Sequence, residues 1–332
     1  MSGPELPLEA VELTVESRAH GWRIDHYLCR LFPNYSRALF QKAIHQNAVQ
    51  VNGLPVKPSR RLKVNDRISV RLPQQPDSGI EPENLPLSIV HEDDALVVIN
   101  KAAGMIVHPG KGNYTGTLAA ALQHHFDQLS DVAGQHRPGI VHRLDRNTTG
   151  VLVIAKDNQV HHKLSQQFEQ REVQKTYEAI VWGELTFDSD YIETHMRVHA
   201  RQREKMCVCA PGGDARQATT FYEVIERFSG FTHVRLQPRT GRTHQLRVHM
   251  SHLKHPIVAD RLYGGRPELR LSHIHPGIEA GDDPILIERQ ALHARQLEFQ
   301  HPRSGHRLAF EAPLPDDMQS TLEKLRAQKD TP

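Results

Sequence analysis

The chain has 332 residues, of which 38% are hydrophobic and 24% are charged, a composition typical of a soluble globular protein large enough for two domains. No apolar run approaches the length of a membrane span, and the glutamate-containing first sixteen residues lack the apolar core of a signal peptide. Three cysteines are too few for a disulfide framework. These features predict a cytoplasmic protein and argue against the membrane and disulfide-rich secreted classes.

The net charge of +2 conceals a basic block near the N-terminus. Residues 21–71 contain ten lysines and arginines against two aspartates, whereas residues 72–100 contain six acids and no lysine or arginine. Such unbalanced charge favours a nucleic-acid-binding module over a merely solvated surface.

The basic block has its own pattern of elements. Apolar residues at helical spacing predict a helix over 23–31, and Ser36 is a suitable cap for a second helix. The inner face of that second helix is predicted to contain Leu39, Phe40, Ala43 and Ile44. A strand over 49–51, a hairpin turn at Asn52-Gly53 and a strand over 67–72 complete a compact module.

Beyond a proline-rich acidic linker at 73–86, strands and helices alternate without internal repeats. Helices are predicted over 117–126 and 159–171. Strands are predicted over 96–99, 140–141, 151–155, 177–182, 221–225 and 232–236, with a turn over 147–150.

Residues 139–155 read G-I-V-H-R-L-D-R-N-T-T-G-V-L-V-I-A, in which one carboxylate, Asp145, stands between Arg143 and Arg146. Nearby positive charge lowers the pKa of a carboxyl group, so Asp145 is predicted to be ionised and able to act as a nucleophile or a base. From the charge spacing alone, a surface ion-pair cluster and a functional carboxylate are equally good interpretations.

The basic block resembles the S4 RNA-binding domain in the segments R-I-D-H-Y-L, Y-S-R-A-L-F-Q-K-A-I, V-Q-V-N-G and K-P-S-R-R-L-K-V-N-D. This resemblance implies a small α/β module whose second helix and following loop grip structured RNA. It implies contacts to phosphate and 2′-hydroxyl groups. The residues so implied are Ser36, Arg37, Lys42, Lys57, Arg60 and Arg61.

Four later segments together resemble the RluA-type pseudouridine synthases. They are V-I-N-K-A-A-G-M-I-V-H-P-G, the H-R-L-D-R-N-T-T-G segment, K-T-Y-E-A-I-V-W-G, and R-T-G-R-T-H-Q-L-R-V-H-M with the following H-P-I-V-A-D-R-L-Y-G-G. The resemblance implies an α+β fold with a mixed, mainly antiparallel central sheet flanked by helices. The predicted organisation is an N-terminal segment 1–20, an S4 domain 21–72, the linker 73–86, a catalytic domain 87–325 and a tail 326–332.

The resemblance also implies the site. Asp145 matches the catalytic aspartate, Tyr177 an active-site tyrosine, and Arg247 a basic partner of the aspartate. Leu246 matches a pocket-lining residue, and Arg143 is a candidate wedge that fills the RNA stack when the base leaves it. Arg242 and His244 are predicted to contact the RNA backbone or to brace the loop, and His142 is interpreted as structural.

Alternatives stay open for several of these residues. Arg247 and Arg143 have phosphate binding as an alternative, and Tyr177 an ordinary core position. Thr243 is predicted to cap the helix that carries Arg247. The basic stretch 197–205 is interpreted equally as an RNA-gripping loop or as a mobile charged hairpin.

Segments such as F-P-N-Y-S-R and A-P-L-P-D-D-M are similar to a subgroup that modifies large-subunit ribosomal RNA. The implied partner is 23S rRNA or a pre-50S ribosomal particle, with the helix 69 stem-loop as the target and a monomeric enzyme. No cofactor or metal is expected, since the 23 histidines form no motif such as H-E-x-x-H. Alternatives are another ribosomal or transfer RNA site, a non-catalytic assembly factor and, more distantly, a hydrolase.

Overall fold

Two sheets organise the chain in the computed structural model, which describes residues 10–32, 37–71, 80–110, 115–134, 137–275, 277–278 and 282–329. A four-stranded sheet with two helices forms the N-terminal module, and a ten-stranded sheet with four helices forms the larger domain. Strands and helices are mixed without regular alternation, so the fold class is α+β, as predicted.

The N-terminal module contains two strands to which the sequence analysis gave no range, one at its start and a short one that follows the predicted hairpin turn. Its elements are β1 (Ala10–Thr14), α1 (Ile24–Leu31), α2 (Arg37–His45), β2 (Val49–Val51), β3 (Leu54–Pro55) and β4 (Arg67–Arg71), with a short 3-10 helix at Ser17–Ala19. The strand order is β1-β4-β2-β3, and β1 pairs antiparallel with β4. The module therefore begins inside the segment that was predicted to precede it.

The predicted turn is confirmed, and so are three of the four residues predicted for the inner face of α2. Asn52 and Gly53 both have positive φ angles, of 52° and 77°, as a two-residue hairpin turn requires. Phe40, Ala43 and Ile44 are buried in its core. Ser36, the side chain of Leu39 and the predicted linker up to residue 79 lie outside the described residues.

The larger domain is built on one sheet of ten strands. Its elements are β5 (Ser88–Glu92), β6 (Leu96–Lys101), α3 (Leu118–His125), β7 (Thr149–Ala155), α4 (Asn158–Gln170), β8 (Gln174–Trp182), β9 (Ser189–Val198), β10 (Met206–Cys209), β11 (Arg216–Phe228), β12 (Phe231–Pro238), α5 (Gln245–His252), β13 (Leu269–Arg270), β14 (Ile285–Ile287), β15 (Leu292–Gln300), β16 (Arg307–Glu311) and α6 (Asp316–Lys329). The order is β10-β9-β11-β12-β8-β15-β7-β6-β5, with β16 paired to β15 and β13 paired to β14 outside the sheet. Among the described strand pairs only β7 and β15 run parallel, so the sheet is mixed and mainly antiparallel.

Strands β6 and β7 explain why this part of the sequence consists of continuous apolar runs. Every residue of β7 is buried. Leu152 and Ile154 pack with the α3 side of the sheet, whereas Val151 and Val153 pack with the α4 side. Because successive side chains point to opposite faces, a strand covered on both faces needs apolar residues at every position.

Two local predictions next to this strand are wrong. Ile140 forms only an isolated bridge with Ile154, so residues 140–141 are not a strand. The turn is made by residues 145–148, closed by a hydrogen bond from the Thr148 amide to the Asp145 carbonyl at 3.1 Å. Thr149 and Gly150 already belong to β7, because pairing with β15 begins there.

Candidate active site

The turn that carries Asp145 is held by side chains from other parts of the domain, which bond to the backbone carbonyls of the turn. The ammonium of Lys101 donates to the Arg146 carbonyl at 3.0 Å, and the guanidinium of Arg289 donates to the Asn147 carbonyl at 3.3 Å. Arg146 in turn donates to the Gly104 carbonyl at 3.1 Å. The first two bonds hold the main chain of the turn, and the third holds the side chain of Arg146. The Asp145 side chain lines the adjoining cleft.

Lys101 is almost fully buried, and its ammonium also donates to the carbonyls of Ala102 and Met105. Burial lowers its pKa to about 7, against the attraction of Asp145. Three carbonyl acceptors match the three N–H groups of an ammonium, so this side chain joins the end of β6 to the Asp145 turn.

The arginine that contacts Asp145 is not one of its sequence neighbours. A guanidinium N–H of Arg247 lies 3.0 Å from Oδ2 of Asp145, whose side chain is 20% exposed. Arg146 is directed to the Gly104 carbonyl, and Arg143 lies 3.5 Å from His108. The expectation that Arg143 and Arg146 flank the carboxylate is therefore corrected, because a tight turn points successive side chains in different directions.

Arg247 lies near the start of α5, which the sequence analysis placed correctly but capped wrongly. The N-cap is His244 in the left-handed conformation, at φ 56° and ψ 19°, and its side chain makes no capping bond. Thr243 is thus not the cap. Instead Gln245 holds the preceding loop, since its Oε1 accepts bonds from the Thr240 hydroxyl at 2.7 Å and the Arg242 amide at 3.0 Å.

A second carboxylate, Asp260, holds the other edge of Arg247. It is fully buried and accepts the Nε and Nη2 groups of Arg247 at 2.6 and 2.8 Å, as well as the amides of Leu262 and Tyr263. Burial opposes the charge of Arg247, but the bonds to Asp260 and the charge of Asp145 outweigh it and raise the pKa of Arg247. The arginine therefore presents a permanent positive charge to Asp145.

All seven side chains predicted for the substrate site in the larger domain line one cleft of about 490 Å³. They are Arg143, Asp145, Tyr177, Arg242, His244, Leu246 and Arg247. Burial raises the pKa of Tyr177, whose hydroxyl is therefore neutral in the ordinary pH range. Their individual roles stay predictions, since sharing a cleft does not assign a role.

The charge of the cleft wall suits a polyanion. Six lysines and arginines line it, against the two acids Asp145 and Glu169. A concave wall of one sign focuses its field and attracts ligands of the opposite charge. The arrangement thus combines one carboxylate with a positively charged surround, which fits a nucleic-acid substrate.

His142 has a structural environment. Its Nε2 accepts the Val153 amide at 3.1 Å, and its ring stacks on Phe168 with centroids 4.5 Å apart. Burial lowers its pKa to about 3, so the ring stays neutral and available as an acceptor.

The basic stretch 197–205 connects β9 to β10 as a hairpin. Its turn is held in part by His199, whose Nδ1 accepts the amides of Arg201 and Gln202. Arg197, Arg201 and Arg203 are exposed. Contact with RNA by this hairpin stays a prediction.

In the N-terminal module, the predicted RNA contacts Arg37, Lys42, Lys57, Arg60 and Arg61 are exposed. Arg37 has an additional structural partner. Together with Arg23 and Gln41 it donates to the carboxylate of Asp25, which is fully buried. Burial tends to raise the pKa of Asp25, but these bonds outweigh it and hold the pKa well below its usual range.

Sequence reasoning missed Asp25, Lys101 and Asp260 as organising residues. Asp260 follows directly on the apolar run I-V-A, and Lys101 directly on V-V-I-N. A charged residue that ends a buried run needs a partner, and that was the available signal. The identity of each partner depends on the tertiary fold.

Within the described ranges, every helix falls short of the length and apolar character needed to cross a bilayer. The same part of the chain holds no group of three or more histidine, cysteine, aspartate or glutamate residues arranged to bind a metal ion.

Comparisons with known proteins agree on one family. Residues 95–252 match the model of the RNA pseudouridylate synthase family, and residues 22–68 match the S4 domain. The ribosomal large subunit pseudouridine synthase D of Pasteurella multocida is 41% identical over 92% of this chain and 92% of its own, and that of Yersinia pestis is 40% identical over 95% and 94%. An uncharacterized RNA pseudouridine synthase of Chlorobaculum parvum is 43% identical over 92% of this chain and 94% of its own.

A solved structure shows the same relationship. Human RNA pseudouridylate synthase domain containing 4 superposes with a TM-score of 0.55 and 29% identity, covering 72% of this chain and 93% of the human one. The chain therefore belongs to the RNA pseudouridylate synthase family, and it is an RNA pseudouridine synthase with an N-terminal S4 domain.

Proposed function

We propose that this enzyme converts uridine to pseudouridine in 23S ribosomal RNA, at the helix 69 stem-loop, with Asp145 as the catalytic carboxylate. The observation that carries the proposal is the contact between Asp145 and the buried guanidinium of Arg247 at the wall of the basic cleft. The ribosomal target is supported by relatives of about 40% identity that are named as large-subunit synthases.

The reaction is an isomerisation. The bond between uracil N1 and ribose C1′ breaks, a bond between uracil C5 and C1′ forms, C5 loses a proton and N1 gains one. Atoms and electrons balance without any co-reactant, so an ionised carboxylate and a pocket for the detached base are the main requirements. Three routes use that carboxylate: attack on C1′, attack on C6, or removal of the ribose 2′ proton.

The surroundings of Asp145 serve all three routes. Arg247 is permanently charged and donates to Oδ2, so a fixed positive charge lies directly against the carboxylate. The side chain nevertheless keeps one fifth of its surface exposed to the cleft. The carboxylate is therefore both paired with a cation and reachable by a nucleotide.

A uridine inside an RNA stack must be extruded to reach this carboxylate. Tyr177 offers an aromatic face for the uracil, and Leu246 offers apolar wall surface in the same cleft. Arg143 is exposed and lines the cleft, which supports a role in filling the space that the extruded base leaves. The exposed lysines and arginines of the S4 module supply sequence-independent attraction to rRNA phosphates in free 23S rRNA or a pre-50S particle.

The test uses a helix 69 stem-loop RNA labelled with tritium at uridine C5, since the reaction releases that hydrogen. Asp145→Asn is expected to lose tritium release by at least about 10³-fold while RNA affinity changes little. Asp188→Asn is the matched control, because Asp188 is a surface carboxylate with an 88% exposed side chain. Full activity of Asp145→Asn would overturn the catalytic assignment.

The target has its own test. Pseudouridines are mapped in total RNA from a strain that lacks the gene, with complementation by the wild-type chain and by Asp145→Asn. Loss at helix 69 that only the wild-type chain restores is the expected result. Loss at a different ribosomal or transfer RNA site would contradict the target, and no loss anywhere would favour a non-catalytic assembly role.

A further inference from the structure

Tyr263 lies behind the cleft, where it contacts three parts of the domain. The centroid of its ring is 5.0 Å from the guanidinium carbon of Arg247. Its hydroxyl lies 2.9 Å from Nδ1 of His244 and 2.8 Å from the amide nitrogen of Met206. His244 continues this chain of contacts, because its Nε2 lies 3.8 Å from Oδ2 of Asp145.

The donors along this chain determine which ring nitrogen of His244 carries the proton. The Met206 amide can only donate, so the Tyr263 oxygen accepts that bond and its own proton is available for Nδ1 of His244. Burial raises the pKa of Tyr263 to about 12, so the hydroxyl keeps this proton at neutral pH.

Burial also lowers the pKa of His244, despite the opposing charges of Asp145 and Asp260, while Arg247 and Arg143 lower it further. The imidazole is therefore neutral and has one N–H group. With Nδ1 accepting from Tyr263, that group is Nε2–H, which faces the carboxylate of Asp145. The opposite tautomer would turn a lone pair toward a negative charge.

We propose that Tyr263 is a positioning residue, which acts on Asp145 through His244 by fixing the Nε2–H tautomer. The fixed imidazole turns an N–H dipole, and not a lone pair, toward the carboxylate of Asp145 across 3.8 Å, beside Arg247 at the cleft wall. Partners that orient metal-bound histidines contribute a factor of about 10 to 100, and by analogy we expect an effect of about tenfold here. The inference rests on the proposed catalytic role of Asp145.

The anchor of this arrangement is the basic hairpin. Met206 is the first residue of β10, and the ammonium of Lys205 lies 5.2 Å from the Tyr263 ring centroid. Met206 and Tyr263 also pack with Val248 of α5 in one apolar cluster. The backbone amide of Met206 in the hairpin thus holds the Tyr263 hydroxyl in place, and this bond does not depend on what the hairpin arginines contact.

Tyr263→Phe tests the proposal because it removes the hydroxyl and keeps the ring that packs on Arg247. The single-turnover rate of tritium release is expected to fall about tenfold, with RNA affinity within about twofold of wild type. Tyr191→Phe is the matched control, because Tyr191 is an exposed tyrosine of the same sheet that does not line the cleft. A wild-type rate in Tyr263→Phe, or a loss confined to affinity, would overturn the inference.

A double-mutant cycle tests the path through His244. If Tyr263 acts through His244, the variant Tyr263→Phe/His244→Ala has the same rate as His244→Ala alone. Multiplication of the two single effects would mean that Tyr263 acts by another route, and the proposal would be wrong.

Nitrogen-15 NMR of the histidine rings gives a readout that does not depend on activity. The His244 signals are assigned from their absence in His244→Ala. The Nε2–H tautomer is expected in the wild-type enzyme, and its loss or averaging in Tyr263→Phe; an Nδ1–H tautomer in the wild type would refute the proposal.

Asp145→Asn separates this inference from the proposed function. An inactive Asp145→Asn together with a fully active Tyr263→Phe would refute only the role of Tyr263. Activity in Asp145→Asn would refute the catalytic assignment, while the NMR measurement would still report the tautomer.

Discussion

The buried carboxylate of Asp260 holds Arg247 by two hydrogen bonds, of 2.6 Å from Nε and 2.8 Å from Nη2. A bidentate pair fixes the plane of a guanidinium as well as its position. The remaining nitrogen, Nη1, is thereby directed at Asp145, 3.0 Å away. Two carboxylates far apart in the sequence thus share one arginine, and the buried one orients the charge for the other.

The first prediction concerns this geometry. Arg247→Lys keeps the positive charge, but a single ammonium cannot bond Asp260 side-on and reach Asp145 at the same time. The rate of pseudouridine formation is expected to fall between about 10- and 100-fold, and the free energy of unfolding by about 3 kcal/mol. Tritium release and urea unfolding measure the two effects.

The control for Arg247→Lys is Arg227→Lys. Arg227 pairs with the exposed Asp188, and surface pairs contribute at most about 1 kcal/mol. If Arg247→Lys retained the wild-type rate, charge alone would be sufficient and the bidentate geometry would be irrelevant to activity.

The second prediction concerns Gly150, which lies where β7 meets β15. Its φ is +113°, and a Cβ atom placed there would lie 2.2 Å from the carbonyl oxygen of Ala294. The colliding atoms belong to the buried backbone of β15, which cannot move aside as a side chain could. Gly150→Ala is therefore expected to lower the free energy of unfolding by more than about 3 kcal/mol. Chemical unfolding monitored by circular dichroism gives the value.

Gly104→Ala is the matched control. Gly104 also has a positive φ, of +81°, but nothing lies within 4 Å of a Cβ built on it. Only the backbone strain then counts, at about 1 kcal/mol. Equal losses in the two variants would show that the approach of β15 to Gly150 is not what excludes a side chain.

The third prediction is a pH dependence of the N-terminal module. Hydrogen bonds from Arg23, Gln41 and Arg37 depress the pKa of Asp25 in the folded state. A depressed carboxyl pKa stabilises the fold above the unfolded pKa, which is about 4, and this contribution is lost as the pH falls toward the folded pKa. Asp25→Asn is therefore expected to cost about 3 kcal/mol near pH 7 and progressively less below pH 4.

Unfolding of both proteins is followed between pH 7 and pH 2 by the fluorescence of Trp22, which packs against the core of this module. A Trp182→Phe background removes the other tryptophan. Asp190→Asn, an exposed carboxylate, is the comparison and should stay within about 0.5 kcal/mol of its parent. If the loss of unfolding free energy in Asp25→Asn did not change with pH, the ionised Asp25 carboxylate would not be what stabilises the module.

The fourth prediction concerns RNA affinity. Lys42 and Lys57 are exposed residues of the S4 module and are predicted RNA contacts. If each neutralises one phosphate, replacing both by alanine lowers the slope of log Kd against log salt concentration by between about 1.4 and 1.8. The replacement of both by arginine keeps the charges and is expected to keep the slope.

Filter binding of a helix 69 stem-loop at several salt concentrations gives these slopes. The catalytic rate at saturating RNA should be the same in all three proteins, because neither lysine lines the cleft. An unchanged slope in the alanine variant would mean that neither lysine contacts an RNA phosphate.

Much of the fold could be predicted from local pattern. The apolar runs of β6 and β7, the helix spacing of α1 and α4 and the Asn52-Gly53 turn each depend on interactions between neighbours in the sequence. Strand β1 was missed because its short alternation A-V-E-L-T has no partner until β4 is placed beside it. The cap of α5 was mispredicted because Gln245, and not Thr243, holds the loop before it.

By itself, the sequence determined the module order, the family and the identity of the residues around the site, since those depend on residue types in a fixed succession. The resemblance also implied Arg247 as the partner of Asp145, and the contact confirms it. Only the tertiary structure decided the other partners of the charges: Asp260 with Arg247, Lys101 with the turn at Arg146, and Arg37 with Asp25. Burial is the physical reason. A charge removed from water needs a counter-charge or hydrogen-bond partner within a few ångströms, and the packing of distant segments determines which group is there.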